Sequence, residues 1–443
     1  MSITGKAMGL GLRAINRFAG LPVMDRLGLR TPAQKALYHG AKLGFRSVGA
    51  VGRGFQATQK LLKPARLSPG SGGQGQFDLT PTDEQQMLRE AALSFALERM
   101  RPAAQAADGT CAAPAEILAG INELGIGQLS IPESLGGVGG ERSAIANALI
   151  AEALAQGDMG LAVAALAPVA VSTALVLWGD EMQQATYLPA FVGERPPAAA
   201  LAILEPRPLF DPLELQTRAR RSGEGFVLDG VKSLVPRGAQ AELFIVAAQL
   251  EGAGPAPTPA LFIVESSSAG LSVEAEPAMG LRAAATTRLH LNGVKLPAAA
   301  LIGGGDIELY RDCVRLSRLG WCALAVGAAQ AALDYLIPYV NERVAFGEPI
   351  SHRQSVAFAV ANIGIELEGM RLATWRAASR AEQGLDFARE AAIARRLCAD
   401  KAVIIGSDAV QLLGGHGFVK EHPVERWYRD LRAAGVMEGV VLV

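Results

Sequence analysis

The chain has 443 residues, of which 50 % are hydrophobic and 19 % are charged, with a formal net charge of −1. This length accommodates two or three domains, and the composition allows a large buried core. The balanced charge gives no general argument for nucleic-acid binding. Four scattered cysteines and five histidines show no metal-ligand spacing. We therefore predict no metal site, no nucleic-acid partner and a reducing compartment.

The start of the chain differs from the rest. Residues 1–75 contain twelve Lys or Arg and a single acid, Asp25, with apolar residues between the charges. A basic helix with an apolar stripe can lie on an anionic membrane surface, and a solvated or partner-packed extension is the alternative. Residues 68–75 have the composition of a flexible linker. The segment 9–14 has the spacing of a dinucleotide fingerprint but no preceding strand, so a Rossmann fold is not predicted.

Residues 76–198 have the pattern of a helical domain. A helix start is predicted at Thr80–Gln85, where a capping side chain precedes acids in the first turn. The apolar run Leu161–Trp178 reaches the lower length limit of a membrane span. A transmembrane helix and a buried helix of a large helical domain both explain this length. Abundant Ala and Gly, with few aromatic residues, predict helices that pack closely through small side chains.

The sequence pattern changes twice more along the chain. In residues 199–305 the hydrophobic period moves toward two, which predicts a β domain with short strands punctuated by Gly and Pro. In residues 306–443 apolar residues return to helical spacing, as in Leu316–Ile337 and Val356–Ala377. A third domain, again helical, is therefore predicted.

Two motifs of the last domain have the chemistry of a binding site. Arg343 begins the pattern Arg-x-x-Phe-Gly-x-Pro-Ile-x-x-x-Gln, and its planar fork suits a pyrophosphate. Phe346 can pack on an adenine and Gln354 can bond a ring edge. Further on, Gln411–Phe418 contains a Gly-Gly-x-Gly turn that a ligand can approach closely. A single carboxylate, Glu438, follows between apolar neighbours.

These motifs, together with others from Leu79 onward, resemble the acyl-CoA dehydrogenases, the FAD-dependent enzymes of fatty-acid β-oxidation. The resemblance implies an α+β multi-domain fold. Its parts are an N-terminal helical domain, a middle β-barrel or sandwich domain, and a C-terminal four-helix bundle. Because the family match extends on both sides of the apolar run, it also favours a buried helix over a membrane span.

The resemblance assigns roles to single residues. Glu438 matches the base that removes the α-proton of an acyl-CoA thioester while a hydride leaves the β-carbon for flavin N5. The family's alternative base position lies near Ser317, which offers no carboxylate. Arg318 matches an arginine near the active site and Asp211 ends a family motif, so both are predicted to bind substrate. The predicted FAD contacts are Arg343, Phe346, Gln354, Gln411, Gly414 and Gly415.

In the family these contacts reach FAD held mainly by a neighbouring subunit. The resemblance therefore implies a homodimer or homotetramer, or a hetero-oligomer with a paralogue. An electron-transfer flavoprotein is the expected electron acceptor. We expect a cytoplasmic protein, peripheral on the inner membrane through residues 1–75, or a matrix protein in a eukaryote.

Several positions differ from the family pattern. Leu204 replaces a threonine whose hydroxyl bonds the flavin, Leu234 replaces an aromatic residue that covers it, and Pro236 replaces a hydroxyl donor. Three hypotheses follow. The chain is an active dehydrogenase with an unusual flavin pocket, a catalytically impaired subunit that completes the FAD site of a paralogous partner, or a non-enzymatic acyl-CoA-binding protein at membranes.

Overall fold

The computed structural model describes residues 79–138, 142–193, 195–252 and 257–443. The chain divides after Gln76, and every element below belongs to the second unit, Phe77–Val443. The predictions for residues 1–75, namely the membrane-surface helix, the linker and the rejected fingerprint, lie outside the described residues.

Helices occupy most of the described residues between 79 and 191. They are α1 (Asp83–Phe95), extended by a π-helical turn (Ala96–Met100), α2 (Arg101–Thr110), α3 (Ala115–Glu123), α4 (Ala144–Gly157), α5 (Met159–Trp178) and α6 (Glu181–Phe191). Thr82 caps α1 in a capping box: its hydroxyl accepts from the Gln85 N–H, and the Gln85 side chain accepts from the Thr82 N–H. Asp158 caps α5 by accepting from the Leu161 N–H at 2.9 Å.

Within the described residues the middle region forms one curled sheet of seven strands. These are β1 (Ala199–Ala202), β2 (Arg218–Ser222), β3 (Gly225–Val235), β4 (Leu243–Glu251), β5 (Thr258–Glu265), β6 (Leu271–Ala275) and β7 (Thr287–Pro297). The order is β1-β4-β2-β3-β7-β6, and β5 pairs with β4. The first half of β4 runs parallel to β1 and its end runs parallel to β2. The sheet encloses its own apolar core, which includes Phe226, Phe244 and Phe262.

Helices return after the sheet and carry most of the predicted site. They are α7 (Ile307–Glu342), α8 (Gln354–Glu382), α9 (Ala388–Leu413), α10 (Val424–Leu431) and α11 (Ala433–Val436), with a small hairpin of β8 (Val344–Ala345) and β9 (Glu348–Pro349) after α7. Helix α7 packs against α4, α8 and α9. A Cβ on Gly327 would lie 2.1 Å from the Glu152 carbonyl oxygen, so glycine is what lets α7 and α4 approach this closely.

Among the described residues, two helices are apolar and long enough to cross a membrane by length and composition. In the most apolar window of α5, 78 % of the residues are buried inside the protein, and in that of α7 61 % are buried. A helix covered on most sides by its own protein has the environment of a core helix. The structure thus favours the buried helix predicted for the apolar run. The succession of helical region, curled sheet and helical region confirms the predicted fold class.

Candidate active site

Glu438 lies in the segment that leaves α11 and crosses to strand β1. Gly439 forms an antiparallel bridge with Ala202, and the Val440 N–H donates to the Leu201 carbonyl at 3.0 Å. Gly439 has a φ of +75°, and a Cβ at this position would lie 2.9 Å from the same Leu201 oxygen. The crossing therefore requires a glycine directly after the carboxylate.

Helix α7 holds the same segment from another direction. Ser317 Oγ and Trp321 Nε1 both donate to the Gly439 carbonyl, at 2.7 Å and 2.9 Å. Ser317, Trp321 and Glu438 are all buried. Among the described residues the Glu438 N–H has no backbone acceptor, which leaves it available to donate to a bound group.

Two arginines contact the Glu438 carboxylate. Arg318 Nε donates to both oxygens at 3.0 Å, and Arg318 Nη2 donates to Oε1 at 2.8 Å. Arg395 Nη2, from α9, donates to Oε1 at 3.4 Å and to the Met437 carbonyl at 2.8 Å. The expected apolar setting is thus correct for the neighbours of Glu438 along the chain but wrong for its neighbours in space. Arg318, predicted to bind substrate, lies against the predicted base.

A buried ion pair joins strand β3 to the segment after β1. Glu205 and Lys232 approach to 2.9 Å, and Glu205 also accepts from the Gln216 and Thr217 N–H groups at 2.7 Å and 2.9 Å. Burial alone would raise the pKa of Glu205, but the Lys232 charge and these hydrogen bonds lower it. Burial lowers the pKa of Lys232 to about 8 in spite of its partner. Both side chains therefore hold the fold together at this point.

Glu276 binds the polar groups beside Leu234. Ser233 Oγ donates to both Glu276 oxygens at 2.9 Å, and the Leu234 N–H donates to Oε2 at 2.7 Å. Arg288 also pairs with this carboxylate. Burial alone would raise the pKa of Glu276, but these hydrogen bonds and the Arg288 charge lower it. The donors at this position are thus bonded within the chain, and Leu234 has a left-handed φ of +52°.

The side chains of Leu204 and Pro236, two positions that differ from the family pattern, offer no donor to a flavin. Leu204 and Pro236 are buried and apolar. Asp211 lies exposed on the segment between β1 and β2, where its carboxylate accepts from the Leu213 N–H at 2.9 Å. Within the described residues no hydrogen bond or ion pair connects the Asp211 side chain to Glu438. Asp211 remains a predicted substrate contact.

The residues predicted to contact FAD are all exposed, and we call them the outer edge: Arg343, Phe346, Gln354, Gln411, Gly414 and Gly415. The first three surround the hairpin of β8 and β9. Arg343 follows α7, and its carbonyl accepts from the Ile350 N–H at 2.9 Å. Phe346 is 96 % exposed with a left-handed φ of +55°, and the Arg353 guanidinium lies 5.8 Å from its ring centroid.

The glycine turn at the end of α9 completes the outer edge. A Cβ on Gly414 or Gly415 would meet no atom within 4 Å, so the surface above the turn is open. Tyr339 Oη donates to the Leu413 carbonyl at 3.3 Å and lies 2.8 Å from His416 Nδ1. The Tyr339 carbonyl in turn accepts from the Arg343 N–H at 2.9 Å. Tyr339 therefore brings the turn and the hairpin together, as their shared predicted role requires.

Comparison with known proteins identifies the family. Residues 82–195, 200–294 and 307–441 match the N-terminal, middle and C-terminal domains of acyl-CoA dehydrogenases. The rat mitochondrial short/branched chain specific acyl-CoA dehydrogenase is 30 % identical over 364 residues, which cover 81 % of this chain and 83 % of the relative. The chain belongs to the acyl-CoA dehydrogenase family.

Solved structures of this family have the same fold. The butyryl-CoA dehydrogenase of Megasphaera elsdenii matches with a TM-score of 0.75 and 29 % identity, covering 81 % of this chain and 95 % of the other. A chain solved in the structure of the electron transferring flavoprotein of Acidaminococcus fermentans matches with a TM-score of 0.74 and 27 % identity, covering 81 % of this chain and 95 % of the other.

FAD is the cofactor of the acyl-CoA dehydrogenase family, and the outer edge fits part of it. Among the described residues, the side chains of Arg343, Gln354 and Gln411 have no hydrogen-bond or ion-pair partner. A free arginine fork beside an open glycine turn suits the phosphates of a dinucleotide. The inner groups, which we define as Glu205, Lys232, Ser233, Glu276, Arg318, Arg395 and Glu438, are instead paired with one another.

Three residues of the site are not indicated by any pattern in the sequence. Arg395 lies 43 residues before Glu438 on another helix. Trp321 belongs to a segment that the sequence marks only as an apolar helix, although its indole N–H fixes the Gly439 carbonyl. Glu276 lies 42 residues from Leu234 along the chain, yet it accepts from the Leu234 N–H. None of the three lies in a motif, so a fold is needed to place them.

Proposed function

We propose that the chain catalyses the α,β-dehydrogenation of an acyl-CoA thioester, with Glu438 as the base that takes the α-proton. Bound FAD supplies the acceptor for the hydride that leaves the β-carbon. The observation that carries the proposal is the position of Glu438, which is 6 % exposed and fixed between α7 and β1 through Gly439. A fixed carboxylate that is shielded from water suits the abstraction of a proton next to a carbonyl.

The two arginines leave one carboxylate oxygen available for this step. Oε1 accepts from Arg318 and Arg395, whereas Oε2 accepts only from Arg318 Nε among the described residues. A carboxylate offers about four lone-pair sites, so Oε2 keeps a site for a proton. We assign Oε2 as the proton acceptor, and we assign both arginines the role of orienting it.

The backbone of Glu438 supports the same reaction. Loss of the α-proton moves negative charge to the thioester oxygen, which a fixed N–H donor stabilises. The Glu438 N–H is such a donor, since it has no backbone acceptor among the described residues. In this assignment one residue supplies both the base and a donor for the developing charge.

Anaerobic reduction of the flavin tests the proposal. The chain, prepared with FAD, is mixed with butyryl-, octanoyl- or palmitoyl-CoA while the visible flavin band is followed. We expect the band to bleach with at least one of these thioesters. Glu438→Gln keeps the size of the side chain but removes the base, so bleaching should slow by about 10²–10⁴-fold.

Glu308→Gln is the matched control, because Glu308 is an exposed glutamate at the start of α7 that pairs with Arg311. It should bleach at the rate of the parent chain. An unchanged rate in Glu438→Gln would exclude Glu438 as the base.

A catalytically impaired subunit that completes the FAD site of a paralogous partner is the second candidate. It is favoured by the contrast between the outer edge, whose polar side chains lack partners among the described residues, and Ser233 and Leu234, whose donors are bonded to Glu276. A chain that purifies colourless with FAD present, and that co-purifies with a flavin-containing paralogue from its host, would support this candidate. A pure and active homo-oligomer would exclude it.

Both candidates place the chain in an oligomer that binds acyl-CoA. Phe346 of the outer edge and Phe418, which follows its glycine turn, are 96 % and 90 % exposed, and apolar side chains this exposed suit an interface. For the active enzyme we propose an electron-transfer flavoprotein as acceptor. Light scattering tests the assembly, and reduction of an added electron-transfer flavoprotein during turnover tests the acceptor.

A further inference from the structure

A pocket of about 210 Å³ lies between helices α3 and α5. Its walls are mostly apolar and include Leu118, Ile121, Pro168, Val169 and Phe191. This volume equals that of about seven liquid water molecules, which is enough for a chain of a few carbon atoms. Pockets with apolar walls and a small number of fixed polar groups are typical of small-molecule sites.

The pocket is separate from the segment that carries Glu438. A second, much smaller cavity of about 10 Å³ is lined by Gly320 and by the residues Val441–Val443 that follow Glu438. Val169 of α5 lines both cavities, so this helix lies between them. None of the residues assigned above to catalysis or to FAD lines the larger pocket.

Arg237 lines the pocket from a rigid turn after β3. Its φ is +49°, in the left-handed region that residues with a Cβ rarely adopt. Its N–H donates to the Ala284 carbonyl at 2.9 Å, and its carbonyl accepts from the Gln240 and Ala241 N–H groups at 2.9 Å and 3.0 Å. Strained backbone persists where the surroundings over-determine it, often at ligand sites. The backbone thus fixes where the guanidinium can reach.

The charge of Arg237 is not neutralised within the described residues. Its hydrogen bond runs from Nη1 to the Ala164 carbonyl at 3.4 Å, and no carboxylate pairs with it. Burial lowers the pKa of Arg237, because the cation loses hydration there. An arginine stays charged in a protein, so a partly buried and unpaired guanidinium is stabilised by an anion.

We propose that this pocket binds a short apolar chain that ends in a carboxylate, with the carboxylate on Arg237 and the chain between α3 and α5. The planar guanidinium fork matches a carboxylate, and the apolar walls match the hydrocarbon. This ligand chemistry has two sources: a free monocarboxylic acid, or an acyl thioester whose far end carries a carboxyl group. Because α5 lies between the pocket and the cavity beside Glu438, binding of either ligand here is independent of the proposed dehydrogenation.

Titration calorimetry of the full chain with hexanoate tests the pocket without requiring any catalysis. We expect saturable binding at one site per chain, at least about tenfold weaker in Arg237→Gln, since a charge-assisted hydrogen bond is lost. Hexan-1-ol, which has the same chain without the charge, should also bind at least about tenfold more weakly. Arg218→Gln is the control variant, because Arg218 is an exposed arginine on β2 that pairs with Glu251.

A second variant keeps the test decisive if Arg237→Gln does not fold. Ala119 lines the pocket from an exposed position on α3, so Ala119→Phe should narrow the pocket and weaken binding without changing Arg237. The affinities of adipoyl-CoA and hexanoyl-CoA distinguish the two sources. If adipoyl-CoA binds the parent chain more tightly than hexanoyl-CoA, if Arg237→Gln removes this difference, and if hexanoate does not bind, the ligand is the thioester. The inference is overturned if neither hexanoate nor adipoyl-CoA binds, or if both bind Arg237→Gln and the parent chain equally.

Discussion

The inner groups and the outer edge use similar residue types in opposite ways. Within the inner groups Glu438 is bonded to Arg318 and Arg395, and Glu205 is bonded to Lys232. On the outer edge the side chains of Arg343, Gln354 and Gln411 have no such partner among the described residues. Buried charges are paired because removing an unpaired charge from water costs free energy. An exposed arginine stays hydrated and is available to bind a ligand.

The two regions contribute differently to the stability of the fold. The inner groups are held by the chain itself, so their removal should change folding. The outer edge contributes little to folding, so its residues should matter when a cofactor or a second subunit is present. The contrast also shows where this chain differs from the family pattern. Ser233 Oγ and the Leu234 N–H donate to Glu276 within the chain, while the surface above Gly414 and Gly415 is open.

The largest change in the free energy of unfolding should come from removing the charge of one partner of a buried ion pair. Glu205→Gln leaves Lys232 buried without its counter-charge, and breaking such a pair costs about 3–5 kcal/mol. We expect the free energy of unfolding, measured with urea, to fall by this order. In the double variant Glu205→Gln with Lys232→Met most of the loss should be recovered, because no uncompensated charge remains.

An exposed pair provides the comparison. Arg218 and Glu251 pair at 2.7 Å on the surface, with 65 % and 27 % of their side chains exposed. Glu251→Gln should change the free energy of unfolding by less than about 1 kcal/mol. If Glu205→Gln destabilised no more than this, the inner pair would not stabilise the fold and the contrast would be lost.

A smaller effect, and on a different quantity, is expected at the outer edge. Arg343→Ala should leave the unfolding free energy within about 0.5 kcal/mol of the parent, as for exposed residues without partners. It should weaken FAD binding by about tenfold or more, since a charge-assisted hydrogen bond contributes about 1.5–3 kcal/mol. Fluorescence quenching of added FAD measures the affinity.

The control for Arg343 is Arg311→Ala, at a partly exposed arginine of α7 that pairs with Glu308. It should leave FAD affinity unchanged. Equal affinities in Arg343→Ala and Arg311→Ala would contradict the assignment of Arg343 to the cofactor.

The outer edge was predictable from sequence, and much of the inner cluster was not. Arg343, Phe346 and Gln354 belong to one short motif, and Gly414 and Gly415 to another, so the family resemblance that these motifs carry nominated them, and their contact with FAD stays a prediction. The surroundings of Glu438 depend on Arg318, which lies 120 residues earlier, and on α9. Contacts at that sequence distance depend on how helices pack, which no periodicity specifies. The fold class was predictable because three long segments each kept one hydrophobic period.

Outside the inner groups, one buried carboxylate has no ion-pair partner among the described residues and gives a pH dependence. Asp430 is buried and accepts from the Leu281 N–H at 2.6 Å. Burial, then the charge of Asp158, raise its pKa to about 7. The folded state therefore holds a proton between about pH 4 and pH 7 that the unfolded chain has released, so stability should fall as pH rises through this window, by at most about 1.4 kcal/mol per pH unit.

Asp430→Asn should flatten this slope, because the amide oxygen can still accept from the Leu281 N–H but does not titrate. Urea unfolding at pH 5, 6 and 7 measures the slope of the unfolding free energy against pH. Asp312→Asn, at a partly exposed aspartate that pairs with Arg315, should keep the slope of the parent. A parent chain whose stability is constant over this range would show that Asp430 is not protonated in the folded state.

The smallest effect concerns two residues that share a backbone strain. Leu234 and Phe346 both have left-handed φ values, +52° and +55°, which glycine adopts without the penalty of a Cβ. At the inner position, Leu234→Gly relieves this strain but removes the packing of a half-buried side chain. The two effects on the free energy of unfolding have opposite signs, and we expect the loss of packing to be the larger. At the outer position Phe346 is 96 % exposed, so Phe346→Gly removes almost no packing within the chain.

Phe346→Gly should therefore leave the isolated chain as stable as the parent or more stable, within about 1 kcal/mol, while Leu234→Gly destabilises it. Thermal unfolding of both variants without FAD measures the difference. If Phe346→Gly gains stability in that assay and loses FAD affinity in the quenching assay, the strained phenylalanine is retained for the cofactor. Equal FAD affinity in the two chains would instead assign Phe346 to the contact between subunits, since the described chain gives this side chain almost no packing of its own.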